Sequence, residues 1–364
     1  MKRLERVTLL GVLVGLAYGC ESGTPLVEPS HSKVLTADVT AEDQLAYGPW
    51  SPPVNLGSVV NSSDSDSHPA ISKDGLSLYI SSHRVDLPGS QGGFDIWVSQ
   101  RASLDAPWGL PVNLGPNVNS GSNDVAPTFS PDGHEMYFHS NRPGGCGLAD
   151  LYVTRRHDKR DDFGWEPARN LDADPDGIVR QCVVNSAFAD AGPTIFEDEA
   201  TGVTTLYFTV RNNPPNSDQG FDIYASTRLG DDGPFGPPVL VPELSSPYRD
   251  TRTTIRRDGL EMILSSGRPG GVGSEDLWVS TRASTLDAWS TPVNLDADSL
   301  ALGRPPVVNS TAFDGAPALS FDGTTLYFFS ERPGGFGKRD LYVTTRERLN
   351  GPDARNVAAE TKRH

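Results

Sequence analysis

Long apolar runs are nearly absent from these 364 residues, and cysteine (3), methionine (3) and basic charge are scarce. Each scarcity excludes something. Beyond residue 19 no stretch reads as a membrane-spanning helix. Three cysteines are too few for a disulfide scaffold. The histidines, His31, His68, His83, His134, His139, His157 and His364, show no metal-ligand spacing. Lys and Arg number 31 against 47 Asp and Glu, for a net charge of −16. Such a surface repels phosphate backbones and anionic lipid, so nucleic acid is excluded as a partner and a membrane is reached only through a lipid anchor. Helical periodicity is missing outside the N-terminus. No G-x-S-x-G turn occurs, and no glycine run has the strand-to-helix context of a phosphate loop.

What is abundant is turn chemistry, with 37 Gly and 30 Pro in a chain long enough for one large all-β domain. Residues 1–19 combine the basic "MKRLER" with the apolar "VTLLGVLVGLAYG" and read as an export signal. "LAYGC" resembles the lipobox of bacterial lipoproteins, which makes Cys20 the candidate lipidation site. Ala17 in place of Leu and the bulky Tyr18 depart from that pattern and leave ordinary secretory cleavage open. Residues 20–46 are poor in large apolar side chains and read as a flexible tether. The expected location is the bacterial envelope, as an outer-membrane lipoprotein or a periplasmic or secreted protein.

The rest of the chain is one phrase repeated five times. Its forms begin "SSHRVDLPGSQGGFDIWVSQR", "HSNRPGGCGLADLYVTRR", "FTVRNNPPNSDQGFDIYASTR", "LSSGRPGGVGSEDLWVSTR" and "SERPGGFGKRDLYVTTR". Each follows an apolar segment such as "TTLYFFS", and "W..PVNLG" or a worn version of it stands at 50, 108, 165, 235 and 289. Spacings of 58, 57, 70 and 54 residues suit one four-stranded unit each. The strand segments are apolar at adjacent positions, as in sheets covered on both faces.

The pattern "W..PVNLG..VNS...D..P..S.DG..LYF.S.RPGG.G..DLYV" resembles the TolB-like, WD-like β-propeller repeats of bacterial envelope proteins, over about residues 48–348. The resemblance implies an all-β fold, a five-bladed propeller of four-stranded antiparallel blades spanning 47–348, with a tail at 349–364. Strand counting adds a prediction: the last unit lacks its outer strand, so residues 50–57 close the ring by completing the fifth blade against residues 339–346.

Alternating strand direction sorts the motifs by face. The "KDG", "PDG", "RDG" and "FDG" turns lie on one face and read as hairpin signals with no further role. On the other face, Asp66, Asp124, Asp190, Asp250 and Asp314 stand one per blade before the innermost strand, as a candidate ring at the channel mouth. That ring could take a cation such as Ca2+, or each Asp could cap its own turn. Arg84, Arg142, Arg211, Arg268 and Arg332 are expected to clasp Asp95, Asp150, Asp222, Asp276 and Asp340 across each b-to-c hairpin. Two long joints supply Arg180, Phe188, Arg304 and Phe313 as candidate contacts. Cys146 and Cys182 lie on this face within reach of a disulfide.

Because the acids repeat blade by blade and no singular Glu stands in a central loop, the expectation is that the protein is not an enzyme. It reads as a monomeric binding or scaffold module for a protein, cell-wall or glycan partner, with no catalytic residue and no resident metal or cofactor. Two alternatives stay open: a carbohydrate-binding propeller, and a five-bladed glycoside hydrolase built on a carboxylate pair.

Overall fold

Five four-stranded antiparallel sheets stand in a ring in the computed structural model, which describes residues 46–211, 220–230 and 233–349. Cys20, the leader, nearly all of the tether and the tail from residue 350 lie outside the described residues. Blade 1 runs Asp66–Ile71, Ser77–Ser82, Asp95–Gln100 and Val112–Asn113 as strands a to d. Blade 2 has Asp124–Phe129, Glu135–Ser140, Asp150–Arg155 and Arg169–Asn170. Blade 3 is longest, with Ala189–Asp198, Val203–Arg211, Phe221–Leu229 and Val239–Leu240. Blade 4 has Asp250–Ile255, Glu261–Ser266, Asp276–Thr281 and Val293–Asn294. Blade 5 takes Asp314–Leu319, Thr325–Ser330 and Asp340–Thr345 from the end of the chain and Val54–Asn55 from its beginning.

That fourth strand closes the ring as the strand count predicts, with Val54 opposite Val343 and Asn55 opposite Tyr342. The seam extends past the strand. Ser51 and Leu56 donate their amides to Thr345 and Leu341, and Ala46–Tyr47 pairs with Arg348–Leu349.

The adjacent-apolar pattern has its explanation in packing. Five apolar clusters each join two neighbouring blades: Tyr79, Ile96 and Val98 of blade 1 meet Met136, Phe138 and Tyr152 of blade 2, and so on round the ring. All six residues of Ser77–Ser82 are buried, because this strand is covered from both sides. The Trp of "W..P" is held by the Arg that follows strand c. Arg101, Arg156, Arg282 and Arg346 lie 4.3–4.4 Å from the rings of Trp108, Trp165, Trp289 and Trp50, and Arg228 lies 4.8 Å from Phe235.

The expected Arg clasp is corrected. Arg84, Arg142, Arg268 and Arg332 do not hold the strand-c aspartates but pair with Asp66, Asp124, Asp250 and Asp314 at 2.5–2.8 Å. Each also donates Nη2 to a carbonyl of the preceding joint, Val60, Val118, Leu244 or Val308, and Nε to a Ser hydroxyl at the end of strand b. Arg211 makes no such pair, because it directly follows Val210, which takes that serine's place opposite the ring Asp. It faces the Phe221 ring at 5.4 Å instead.

The strand-c carboxylates Asp95, Asp150, Asp276 and Asp340 instead accept loop amides, from Gln91, Cys146, Val272 and Phe336 at 2.6–2.7 Å. Asp222 adjoins an undescribed stretch. Cys146 and Cys182 form a disulfide that ties the b-to-c loop of blade 2 to the following joint.

Candidate functional site

The ring of Asp66, Asp124, Asp190, Asp250 and Asp314 is in place at the start of each strand a, but all five are fully buried. In every blade a serine four residues earlier donates its amide and hydroxyl to the carboxylate. The arginines described above occupy the other oxygen in four blades. These carboxylates brace their own turns and joints, the second of the two alternatives the sequence left open, and do not face an open mouth. Among the described residues no group of three or more His, Cys, Asp or Glu is arranged to hold a metal ion. Asp190, without an Arg, is the exception: burial pushes it up to about 6.

The residue just before strand c lies against this ring. Its carbonyl accepts the amide of the next ring Asp: Phe94 from Asp124, Ala149 from Asp190, Glu275 from Asp314 and Arg339 from Asp66, at 2.7–3.0 Å. Blades 1, 2, 4 and 5 place Phe94, Ala149, Glu275 and Arg339 there, and in blade 3 the matching residue, before Asp222, is Phe221, the first of its longer strand c. Glu275 is therefore a singular glutamate beside the axis. It is 5% exposed, with Oε1 3.0 Å from Arg249 Nε and Oε2 accepting from Thr251 at 3.5 Å. Burial outweighs the Arg249 guanidinium and raises its pKa to about 7. Next to it stands a small aromatic group. Phe313 lies 5.0 Å from Phe329, and Arg339 lies over both rings at 5.5 and 5.0 Å.

Of the four joint residues singled out by sequence, Phe313 alone reaches this group. Arg180 is exposed and spends itself on Asp174 and Asp176 of its own joint. Phe188 is 45% exposed, and Arg304 is exposed beside a short helix, Ala297–Ala301. The two joints serve different blades, and their matching sequences do not build one shared surface.

The opening along the axis lies on the opposite face. A cavity of about 850 Å3 is lined by the ends of all five a strands and by the turns that follow them, including Lys73, Pro131, Glu199, Arg257 and Phe321. Its floor includes Arg252. Sequence reasoning missed this funnel because the "DG" turns look like ordinary hairpins. They are hairpins, with Asp74, Asp132, Asp258 and Asp322 each accepting the amide two residues on, but these four and the blade 3 turn after Asp198 stand in a circle and make a rim. Glu275 and Arg252 were also missed. The signal for both was departure from the repeat: the position before strand c reads Phe, Ala, Phe, Glu, Arg, and the position two after the ring Asp reads His, Ala, Gly, Arg, Ala.

No family model matches the chain, and no curated protein matches it. Solved structures resemble its fold. An α-L-arabinofuranosidase from Podospora anserina is 14% identical, with 83% of this chain and 97% of that one covered and a TM-score of 0.48. An endo-arabinase from Bacteroides thetaiotaomicron is 15% identical, covering 80% and 99%, at 0.49. A putative TolB from Agrobacterium tumefaciens is 17% identical, covering 80% of each, at 0.41. These likenesses concern the course of the chain. The expectation of a scaffold that is not an enzyme is corrected. Its premise, that the acids repeat blade by blade with no singular glutamate among them, fails at Glu275.

Proposed function

We propose that this protein is a carbohydrate-active propeller, a glycoside hydrolase with Glu275 as its proton donor. One observation carries the reading: a single carboxyl outside the repeat, Glu275, is buried against the Asp ring, and that burial raises its pKa to about 7. Such a group is protonated often enough near neutral pH to donate to a leaving oxygen. The half-buried Phe313 offers an apolar face to a sugar ring. The basic and apolar residues before Cys20 support action outside the cytoplasm, and the repeat phrase supports kinship with TolB-like envelope propellers.

The test is release of reducing ends or aryl groups from a panel of aryl glycosides and arabinan, galactan and cell-wall oligosaccharides. Turnover of at least one substrate is expected, falling as pH rises through about 7. Glu275→Gln should lower kcat about 100-fold or more while oligosaccharide binding persists. A wild-type protein that cleaves nothing on the panel, or a Glu275→Gln variant at full rate, overturns the assignment.

A further inference from the structure

The funnel on the a-to-b face ends on a buried cation that no carboxylate among the described residues neutralises. Arg252 is 4% exposed. It sits on a bulge of strand a with φ +33, and reaches across the axis from blade 4. Nη1 donates to the carbonyls of Ala126 and Pro193 at 2.9 and 3.1 Å, and Nη2 to that of Pro127 at 2.7 Å. The neighbouring blade makes room with Gly192, where a Cβ would come within 3.4 Å of Arg252 Cδ. Burial is the cause that pulls the guanidinium down to about 9, so it stays charged at neutral pH.

Two polar atoms of funnel-lining residues are buried without partners, Arg252 Nε and Thr253 Oγ1. In a folded protein such atoms are nearly always satisfied, and a lone buried charge is costlier than any neutral group. Five of the six acids lining the funnel are engaged elsewhere. Asp132 and Asp322 accept from their own turns, Asp198 from Thr285, Asp258 from Arg256, and Glu199 faces Arg257. At the rim the Phe321 ring is flanked by Lys73 at 4.3 Å and Arg257 at 4.6 Å, so blades 1, 4 and 5 converge on it.

We infer that this funnel is a binding site for a small carboxylate, of sugar-acid size, whose anionic group takes the free Nε of Arg252 and the hydroxyl of Thr253. The volume fits such a ligand with room for one or two rings. The overall charge of −16 would repel an anion, so the attraction is local, and its burial makes it weakly dependent on salt. The site lies on the opposite face from Glu275 and works independently of it.

The experiment uses the whole protein with sodium glucuronate, acetate, glucose and inorganic phosphate, read by calorimetry and by the shift in Tm. Glucuronate and acetate should bind and raise Tm, with glucuronate the tighter, and glucose should do neither. Arg252→Gln should weaken glucuronate at least tenfold, and Thr253→Val several-fold, while Glu275→Gln leaves it unchanged. Should Arg252→Gln fail to fold, Thr253→Val and Phe321→Ala decide, because unchanged affinity in both removes the site. Binding of glucose as strong as that of glucuronate, phosphate tighter than either carboxylate, no response to either carboxylate, or full affinity in folded Arg252→Gln each overturns the inference.

Discussion

Asp190 shows at the scale of one side chain what the Arg partner does for the other four ring aspartates. It is as buried as they are, yet its donors reduce to the amide and hydroxyl of Ser186, and burial lifts it to about 6. An acid whose folded pKa lies above its unfolded value contributes stability below the unfolded value, near pH 4, and loses it as pH rises through about 6. Ionised Asp190 therefore weighs against the fold at neutral pH. Asp190→Asn should raise Tm at pH 7.5, by an amount corresponding to about 2 kcal/mol, and the gain should shrink at pH 4.5. A gain that is equal at both pH values would mean that Asp190 does not change its protonation between them. Asp66→Asn should act in the opposite direction, leaving Arg84, itself 2% exposed, without its ion-pair partner.

At the scale of the element, the "PGG.G..D" loop shows how a repeated phrase encodes contacts between blades. Its first glycine, Gly144, Gly270 or Gly334, takes a positive φ near +100. The second has no room for a side chain, because a Cβ on Gly145, Gly271 or Gly335 would fall 1.5–2.3 Å from the strand-c carboxylate. The third touches the next blade, where a Cβ on Gly147, Gly273 or Gly337 would lie 2.0–2.2 Å from the backbone oxygen of Phe188, Ala312 or Asp64. The loop is thus a junction between blades as well as a turn. Gly337→Ala, which presses on the Asp64 carbonyl beside the ring closure, should cost about 1–3 kcal/mol, read as a drop in the denaturation midpoint at constant m-value. Gly121→Ala serves as the comparison, because like Gly337 it has no positive φ, but open space surrounds it. Equal losses in the two variants would show that the cost does not come from the junction.

At the scale of the molecule, the ring is closed by a strand from the other end of the chain. Asn55 donates to Asp340, Asn61 bonds the backbone of Leu341, and Trp50 stacks under Arg346. Without residues 46–57 blade 5 would expose an open edge, and the cluster it shares with blade 1 would lose Leu56. A chain truncated before Ser58 should lose cooperative unfolding and self-associate, and adding a peptide of residues 46–57 should restore a single transition. A monomeric, cooperatively folding truncation would show that closure is dispensable.

The five blades, their strand order and the closure were legible from sequence because each depends on short-range patterning copied five times: adjacent apolar residues, turn residues at fixed offsets, and a count one strand short at the end. The partners of polar residues were not. Arg84 and Asp95 flank one hairpin, and proximity along the chain suggested a clasp, but Arg84 reaches Asp66 because the innermost strand and its joint converge there. The open end of the channel was likewise hidden, since its width depends on how five bulged a strands crowd the axis. The sequence alone determined how many blades form and how the ring closes, since those follow from local periodicity. Only the tertiary structure decided which carboxylates stay unpaired, where Glu275 and Arg252 stand and which face opens, because desolvation and charge pairing depend on neighbours far away along the chain.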